Sequence, residues 1–420
     1  MLKHLKKIDL QIEKLIILET KRQQETLDLI PSENIVSRAV LEALGSPLTN
    51  KYSEGYAGKR YYAGNEVIDS VEVIAQDRAR DVFHLSKDWH VNVQPYSGSP
   101  ANLAVYVGLL KPGEKIMGMS LPFGGHLTHG WKVSATGKFY TAVQYTLNRE
   151  GYLDYDEIEK LAKKEKPQII VAGATAYPRV IDFERFAKIA HEVDAYLMVD
   201  MAHIAGLVAA GAHPSPFLHA DIVTTTTHKT LRGPRGAMIF ANRNSKIAKS
   251  KEVDIEAAID KAVFPGLQGG PHDNQTAAIA VALHEAKKPA FKKYGHQIVK
   301  NARALAHALE KLDLELVSGG TDNHLLLIDL TNLGLSGREG QDRLEAVGII
   351  ANRNTIPYDT RSPFDPSGIR LGTPALTTRG MKEKEMKLVA GFIHEALTTQ
   401  TPAVIKKKVA ALCKKFRIDY

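Results

Sequence analysis

The sequence predicts an α/β protein: a large domain with a mostly parallel central sheet covered by helices, followed by a smaller C-terminal α/β domain. Three observations carry this. Short β-rich runs alternate with helical patterns from about residue 90 to 285, which is the signature of a sheet with helices on both faces. Two of those runs end in chemistry-bearing residues, Asp200 with His203 and His228 with Lys229. Near residue 285 the texture changes to a polar, lysine-rich helical stretch.

Taken along the chain, MLKHLKKIDLQIEKLIILET interrupts its apolar residues with charges at helical spacing. A secretory signal needs an unbroken apolar stretch, so residues 1–30 are expected to form a helical arm. The large domain is expected over 31–284. Its candidate strands are His90–Gln94, Lys115–Ser120, Gln168–Ala172, Tyr196–Asp200, Ile222–Thr226 and Ala237–Ala241. Between them Ala101–Leu110, Tyr155–Lys163 and Phe183–Val193 read as amphipathic helices. The small domain, 285–420, opens with one long helix from Glu285 to about Leu314, then a strand at Leu325–Leu330 and further α/β alternation.

Bulk properties exclude several classes of protein. At 420 residues the chain exceeds the size at which single cores stop growing. Hydrophobic residues make up 44% and charged residues 24%, the balance of a folded globular protein. The one cysteine, Cys413, rules out an internal disulfide and a thiolate metal cluster. No metal site is expected, and a reducing, cytoplasmic setting is. No run approaches the ~18–20 apolar residues needed to cross a bilayer. The charge balance of +8 includes Lys406, Lys407, Lys408, Lys414, Lys415 and Arg417. These alternate with apolar residues, the pattern of a solvated helix face rather than of a nucleic-acid surface.

The sharpest local signal is the pair of strand ends. In Leu197-Met198-Val199-Asp200-Met201-Ala202-His203 an apolar strand terminates in a carboxylate, with a histidine three residues on. In Val223-Thr224-Thr225-Thr226-Thr227-His228-Lys229 a β-branched run delivers a histidine and a lysine. Both ends face the edge of the sheet where ligands bind in such folds. A lysine there can form an imine with a carbonyl cofactor, and a buried carboxylate can keep a pyridine nitrogen protonated so that the ring accepts electrons. Pyridoxal phosphate requires that pair. A third segment, Tyr96-Ser97-Gly98-Ser99-Pro100-Ala101-Asn102, opens a helix and so presents backbone N–H groups to an anion such as the phosphate. Taken singly each has a bland alternative: Asp200 as a cap, Lys229 as a surface lysine, Ser-Gly-Ser as a turn.

Further motifs occur in a consistent order: Leu29–Asn34 (LIPSEN), Asn50–Tyr62 (NKYSEGYAGKRYY), Gly124–Gly130 (GGHLTHG), Gly233–Gly236 (GPRG), Phe264–Pro271 (FPGLQGGP) and Gly368–Ala375 (GIRLGTPA). Over essentially the whole chain they resemble the serine hydroxymethyltransferase family of fold-type I pyridoxal-phosphate enzymes. The resemblance implies covalent attachment of pyridoxal 5'-phosphate to Lys229, Asp200 at the pyridine nitrogen, His126 stacked on the ring, and His203 with Thr175 at the ring hydroxyl. Ser97, Gly98 and Ser99 would cradle the phosphate, with Thr226 alongside and His228 next to it or to the lysine. Arg370 would grip the substrate carboxylate, a bidentate task suited to its planar fork, supported by Ser32.

Glu54 would shuttle a proton and meet tetrahydrofolate, the cosubstrate. Tyr52, Tyr62, Gly269 and Gly270 would come from the neighbouring subunit, implying a homodimer with shared sites; pairing of dimers into tetramers is left open. Leu121, Gly125, Leu127 and Asn354 would contact folate, with Tyr61 and Phe364 lining its approach. The expected substrates are serine, glycine and tetrahydrofolate, with neither membrane nor nucleic acid as partner. Ala63-Gly64-Asn65-Glu66-Val67 and Tyr177-Pro178 depart from the family pattern. The rival readings are a folate-independent aldolase of 3-hydroxy amino acids on the same fold and, from another class, a binding protein acting through its basic C-terminus.

Overall fold

Seven strands make the central sheet in the computed structural model, which describes residues 2–399 and 401–419. They are β1 Trp89–Asn92, β2 Lys115–Met119, β3 Thr141–Tyr145, β4 Ile169–Ala172, β5 Tyr196–Asp200, β6 Ile222–Thr226 and β7 Ala237–Asn242, arranged in the order β1-β7-β6-β5-β4-β2-β3. The pairings β2–β3, β2–β4, β4–β5 and β5–β6 are parallel, whereas β7 runs antiparallel to both β1 and β6. The mostly parallel sheet of the sequence reading is therefore observed. The strand β3 was not among the sequence candidates, because its outer residues Thr141 and Ala142 are exposed and its apolar signal is thin.

Alternation along each strand splits the core into two layers. Val199, Leu197, Ile170, Val223, Met238 and Phe240 pack on one face; Tyr196, Met198, Ile169, Val171, Ile222 and Ile239 pack on the other. Side chains two apart share a face, so a strand covered on both sides must be apolar throughout, and each fully buried large side chain contributes roughly 1.5–3 kcal/mol. The helix Phe183–Glu192 shows how a covering element is specified. Asp182 caps its first turn by accepting from Arg185 N at 3.0 Å, while Phe183, Phe186, Ala187 and Ile189 bury one stripe.

The one long helix expected from Glu285 is instead two: Asp273–Ala286 and Pro289–Glu310. Pro289 occupies the first turn of the second helix, where its missing N–H costs nothing but where it would break a continuing one. That second helix spans both halves of the protein. Phe291, Ile298 and Val299 pack with the first core, whereas Leu305, Ala306 and Leu309 belong to a separate core. There they meet a four-stranded antiparallel sheet, β8 Glu315–Leu316, β9 Leu325–Asp329, β10 Asn352–Asn354 and β11 Gly368–Gly372, in the order β8-β9-β11-β10.

Leu27 and Leu29 pack into this second core as well, and Leu27–Asp28 pairs in parallel with Ile349–Ile350. Arg379 ties the two ends of the chain together: its guanidinium donates to the carbonyls of Thr26 (2.7 Å), Gln24 (3.0 Å), Phe416 (2.7 Å) and Cys413 (3.2 Å). The helix Pro402–Lys415 buries Ile405, Val409 and Leu412 and leaves Lys406, Lys407 and Lys408 exposed. No helix among the described residues is long and apolar enough to cross a membrane.

Candidate active site

The carboxyl ends of β5 and β6 converge on a set of hydrogen-bonded side chains. Asp200 Oδ2 accepts from Asn102 Nδ2 at 2.8 Å and from His129 Nε2 at 3.2 Å, and Oδ1 accepts from Ala202 N at 3.1 Å. Burial alone would raise this carboxyl, yet the hydrogen bond from His129, with the Lys229 amine beyond, holds it below the usual carboxylate range. Asn102 reaches Asp200 from the helix Gly98–Leu109, oriented by Thr224 Oγ1 donating to its Oδ1 at 2.7 Å.

The loop 124–130 supplies the next layer, and its hydrogen bonds determine two tautomers. The backbone N–H of His126 donates to His129 Nδ1 at 3.2 Å, leaving the His129 proton on Nε2, toward Asp200. Thr128 N donates to His126 Nδ1 at 3.2 Å, so that ring carries its proton on Nε2. Thr128 Oγ1 sits 2.7 Å from the same Nδ1 and accepts from Asn102 Nδ2 at 2.8 Å. Burial, chiefly, lowers the His126 pKa to about 4, giving a neutral ring. Gly125 is required at the loop's entry, since a Cβ there would lie 1.9 Å from the Met119 carbonyl oxygen.

Lys229 follows β6. Its backbone carbonyl accepts from Asn34 Nδ2 at 2.8 Å, while its amine makes no hydrogen bond among the described residues. Desolvation pushes the amine down to about 8 against the opposing attraction of Asp200, with Arg370 and Arg235 adding to the downward push. Arg370, on β11, is itself lowered to about 10 by burial. It donates from Nη1 to the Thr175 carbonyl and from Nε to Asn352 Oδ1 at 3.2 Å. The Thr175 hydroxyl donates to the carbonyl of Gly125 at 3.0 Å. Thr175 therefore joins the arginine to the histidine loop, and only its acceptor lone pairs remain for a ligand. His203 is buried, and burial drives its pKa well below the ordinary histidine value. Burial likewise lowers His228 to about 3, and its Nδ1 has no partner among the described residues.

The helix Gly98–Leu109 starts against the end of β6, the strand that leads to Lys229. Ser97 is the N-cap of the helix Gly98–Leu109 yet makes no capping hydrogen bond, so the first N–H groups of that helix point outward unsatisfied. Gly98 packs against β6, where a Cβ would come 2.7 Å from Thr226 Cγ2. The buried Thr226 Oγ1 has no partner among the described residues. An orphaned hydroxyl, an uncapped helix start and a lysine amine held near neutrality fit a phosphorylated aldehyde, with Asp200 opposite for its ring nitrogen.

The remaining sequence candidates fall in three places. Gly125, Leu121 and Leu127 share the edge to which the Asn354 loop is tied, since Thr355 Oγ1 donates to the Pro122 carbonyl at 2.8 Å; Phe364 is exposed. Ser32 lines a cavity of about 300 Å³ together with His228 and Arg235. In contrast, Tyr52, Glu54, Tyr62, Gly269 and Gly270 form a cluster of their own. Tyr52 OH donates to Glu54 Oε1 at 3.0 Å, its ring meets Tyr62 edge-on at 5.1 Å, and Gly270 lies against it. Within one chain no hydrogen bond joins these residues to Lys229 or Asp200, and Tyr61 is 79% exposed.

Sequence reasoning missed Asn102, Thr128, His129, Asn34 and Asn352. The first four stood inside quoted motifs, and a signal was available: Asn102 is one turn beyond the phosphate loop, on the face that Asp200 meets.

A parallel sheet bearing a lysine and a carboxylate on adjacent strand ends, with a helix N-terminus beside them, defines a fold-type I pyridoxal-phosphate enzyme. The chain belongs to the serine hydroxymethyltransferase family, whose sequence model matches residues 5–393. It is similar to the serine hydroxymethyltransferase of Desulfotalea psychrophila, 57% identical over 97% of this chain and 94% of the relative. The enzyme of the same name from Acidothermus cellulolyticus is 56% identical over 96% of this chain and 93% of its own length. That of Sorangium cellulosum is 53% identical over 99% and 96%.

Proposed function

We propose that the protein transfers the hydroxymethyl carbon of serine to tetrahydrofolate, reversibly, giving glycine and 5,10-methylenetetrahydrofolate. The observation that carries this is the placing of Asp200 at the end of β5 and of Lys229 just beyond the adjacent β6, with burial lowering the lysine amine to about 8. Pyridoxal phosphate, when bound, supplies a carbonyl for amine exchange and a ring that accepts the electron pair released at the substrate Cα. Ser97, Gly98, Ser99 and Thr226 would hold its phosphate, His126 its ring face, and His203 its ring oxygen.

The protein's own groups do the rest. Asp200, kept anionic by Asn102 and His129, holds a proton on the ring nitrogen. Lys229 would hold the cofactor covalently, and its amine, when free, would be able to take up a proton. Arg370 grips the substrate carboxylate with Ser32 in support, and its tether to the Thr175 carbonyl makes carboxylate binding report on the loop that carries His126. Glu54 would move the proton at the substrate hydroxyl and meet folate, which Leu121, Gly125, Leu127, Asn354 and Tyr61 would contact.

Because Tyr52, Tyr62, Glu54, Gly269 and Gly270 stand apart from Lys229 in one chain, the proposed working unit is a homodimer in which they complete the partner's site. The exposed Tyr52, Tyr62, Val67, Ile74 and Val107 support such an interface. The proposed division is 31–284 and 285–420, with 1–30 as an arm whose Leu27 and Leu29 reach the second core. A purified sample should show a visible absorption band and convert serine with tetrahydrofolate to glycine. Substitution Lys229→Arg should abolish both, and serine turnover without that band would overturn the reading.

A further inference from the structure

Behind the site three imidazoles border one small cavity, and the roles above use only one of them. His203 Nδ1 lies 3.2 Å from His324 Nε2, with ring centroids 5.4 Å apart. His324 is fully buried just before β9, and its Nδ1 has no partner among the described residues. His213 Nδ1 lies 2.9 Å from the Pro214 carbonyl. The cavity, about 20 Å³, is bordered by all three rings together with Asp200, Tyr177 and Asn323. That volume holds one water, which needs about 10–15 Å³ and polar partners.

Burial lowers the pKa of each ring, that of His324 to about 3. Each is neutral near pH 7 and carries a single N–H, so the partners decide the tautomer. A carbonyl only accepts, and His213 therefore holds its proton on Nδ1 and offers Nε2 as an acceptor. One water can donate one O–H to His213 Nε2 and the other to His324 Nδ1. His324 then carries its proton on Nε2 and donates it to His203 Nδ1. His203 is left as the Nε2–H tautomer, and Nε2 makes no hydrogen bond among the described residues. The opposite order would have His324 Nδ1 donate to the water, whose second O–H would then turn to another acceptor of the lining such as Asp200.

We propose that His324 is a positioning residue which, through a bound water and His213, sets His203 as a hydrogen-bond donor toward the ring oxygen of the cofactor. The inference rests on the reading of His203 given above. A donor there favours the ionised ring oxygen; an acceptor would oppose it.

Imidazole ¹⁵N NMR on the cofactor-free protein reads the tautomers directly. His203 and His324 should be protonated on Nε2 and His213 on Nδ1. His324→Phe, which keeps a ring but no nitrogen, should convert His203 to a mixture. His324→Gln, which restores an N–H donor, should bring back the single form. In the loaded protein, cofactor affinity should fall by ~10-fold or more in His324→Phe and recover in His324→Gln. A His203 protonated on Nδ1 in the unaltered protein, or unchanged in a folded His324→Phe, overturns the proposal, as does unchanged cofactor affinity. If His324→Phe does not fold, His213→Leu makes the same test from the far end of the relay. A protein that shows the stated tautomers yet never attaches pyridoxal phosphate at Lys229 overturns the functional reading instead, and with it the role assigned to the tautomer.

Discussion

Lys229 loses hydration on folding but keeps a carboxylate across the site, and the balance leaves its amine far easier to deprotonate than a surface lysine. A pKa of about 8, against an ordinary value of 10.5, means that the free amine is the minor form below pH 8 and dominates above it. Uptake of pyridoxal phosphate by cofactor-free protein, followed by absorbance, should therefore rise with pH and level off just above 8. A rise that continued to pH 10 would show that the amine is not desolvated in solution. The folded state disfavours the charged lysine, so this residue costs stability below pH 8, a cost relieved as pH climbs toward the unfolded value. Arg370 makes the complementary case. Removing its fork by Arg370→Ala should weaken serine binding by at least ~10-fold in a titration, since a hydrogen bond to a charged group contributes ~1.5–3 kcal/mol.

Between elements, two contacts carry more than their local neighbourhoods suggest. The start of the helix Gly98–Leu109 meets the end of β6 through a glycine, and Gly98→Ala would push a methyl group to 2.7 Å from Thr226 Cγ2. Overpacking of this kind costs about 1–3 kcal/mol. Here it would also swing the N–H groups off the phosphate, so a lower melting temperature should be accompanied by weaker cofactor binding. Arg379 links the arm, the helix Pro374–Thr378 and the C-terminal helix through backbone carbonyls alone. Arg379→Met keeps much of the bulk but leaves buried carbonyls unpaired, which should lower unfolding free energy by about 3 kcal/mol or more. Limited proteolysis should then cut first within residues 2–26.

At the scale of the whole molecule the open question is whether one chain makes one site. Under the shared-site proposal, mixing inactive Lys229→Arg with inactive Tyr52→Ala chains produces heterodimers with one doubly defective site and one intact site. Random pairing makes half the dimers mixed, and half of their sites whole, so about a quarter of the unaltered activity should return. If chains have exchanged, as mass measurement of tagged subunits would show, and the mixture stays inactive, the cluster around Tyr52 serves its own chain.

The alternation of apolar runs and amphipathic helices, with Asp200 and Lys229 at strand ends, was enough for the sequence by itself to determine a parallel sheet and its ligand edge, because strand and helix periods are local properties written residue by residue. Local signals also placed Ser97–Ser99 at a helix start. What only the tertiary structure decided were relations between segments far apart in the chain. Asn102 and Thr224 lie 122 residues apart yet meet at one hydrogen bond, and His203 and His324, 121 apart, at another. Neither partner bears any periodic mark of the other. The return of Leu27 and Leu29 to the second core was likewise a matter of packing. Long-range polar contacts are specified by three-dimensional proximity after the core has formed, and that is why the lysine and its carboxylate could be read in advance while the network that sets their protonation could not.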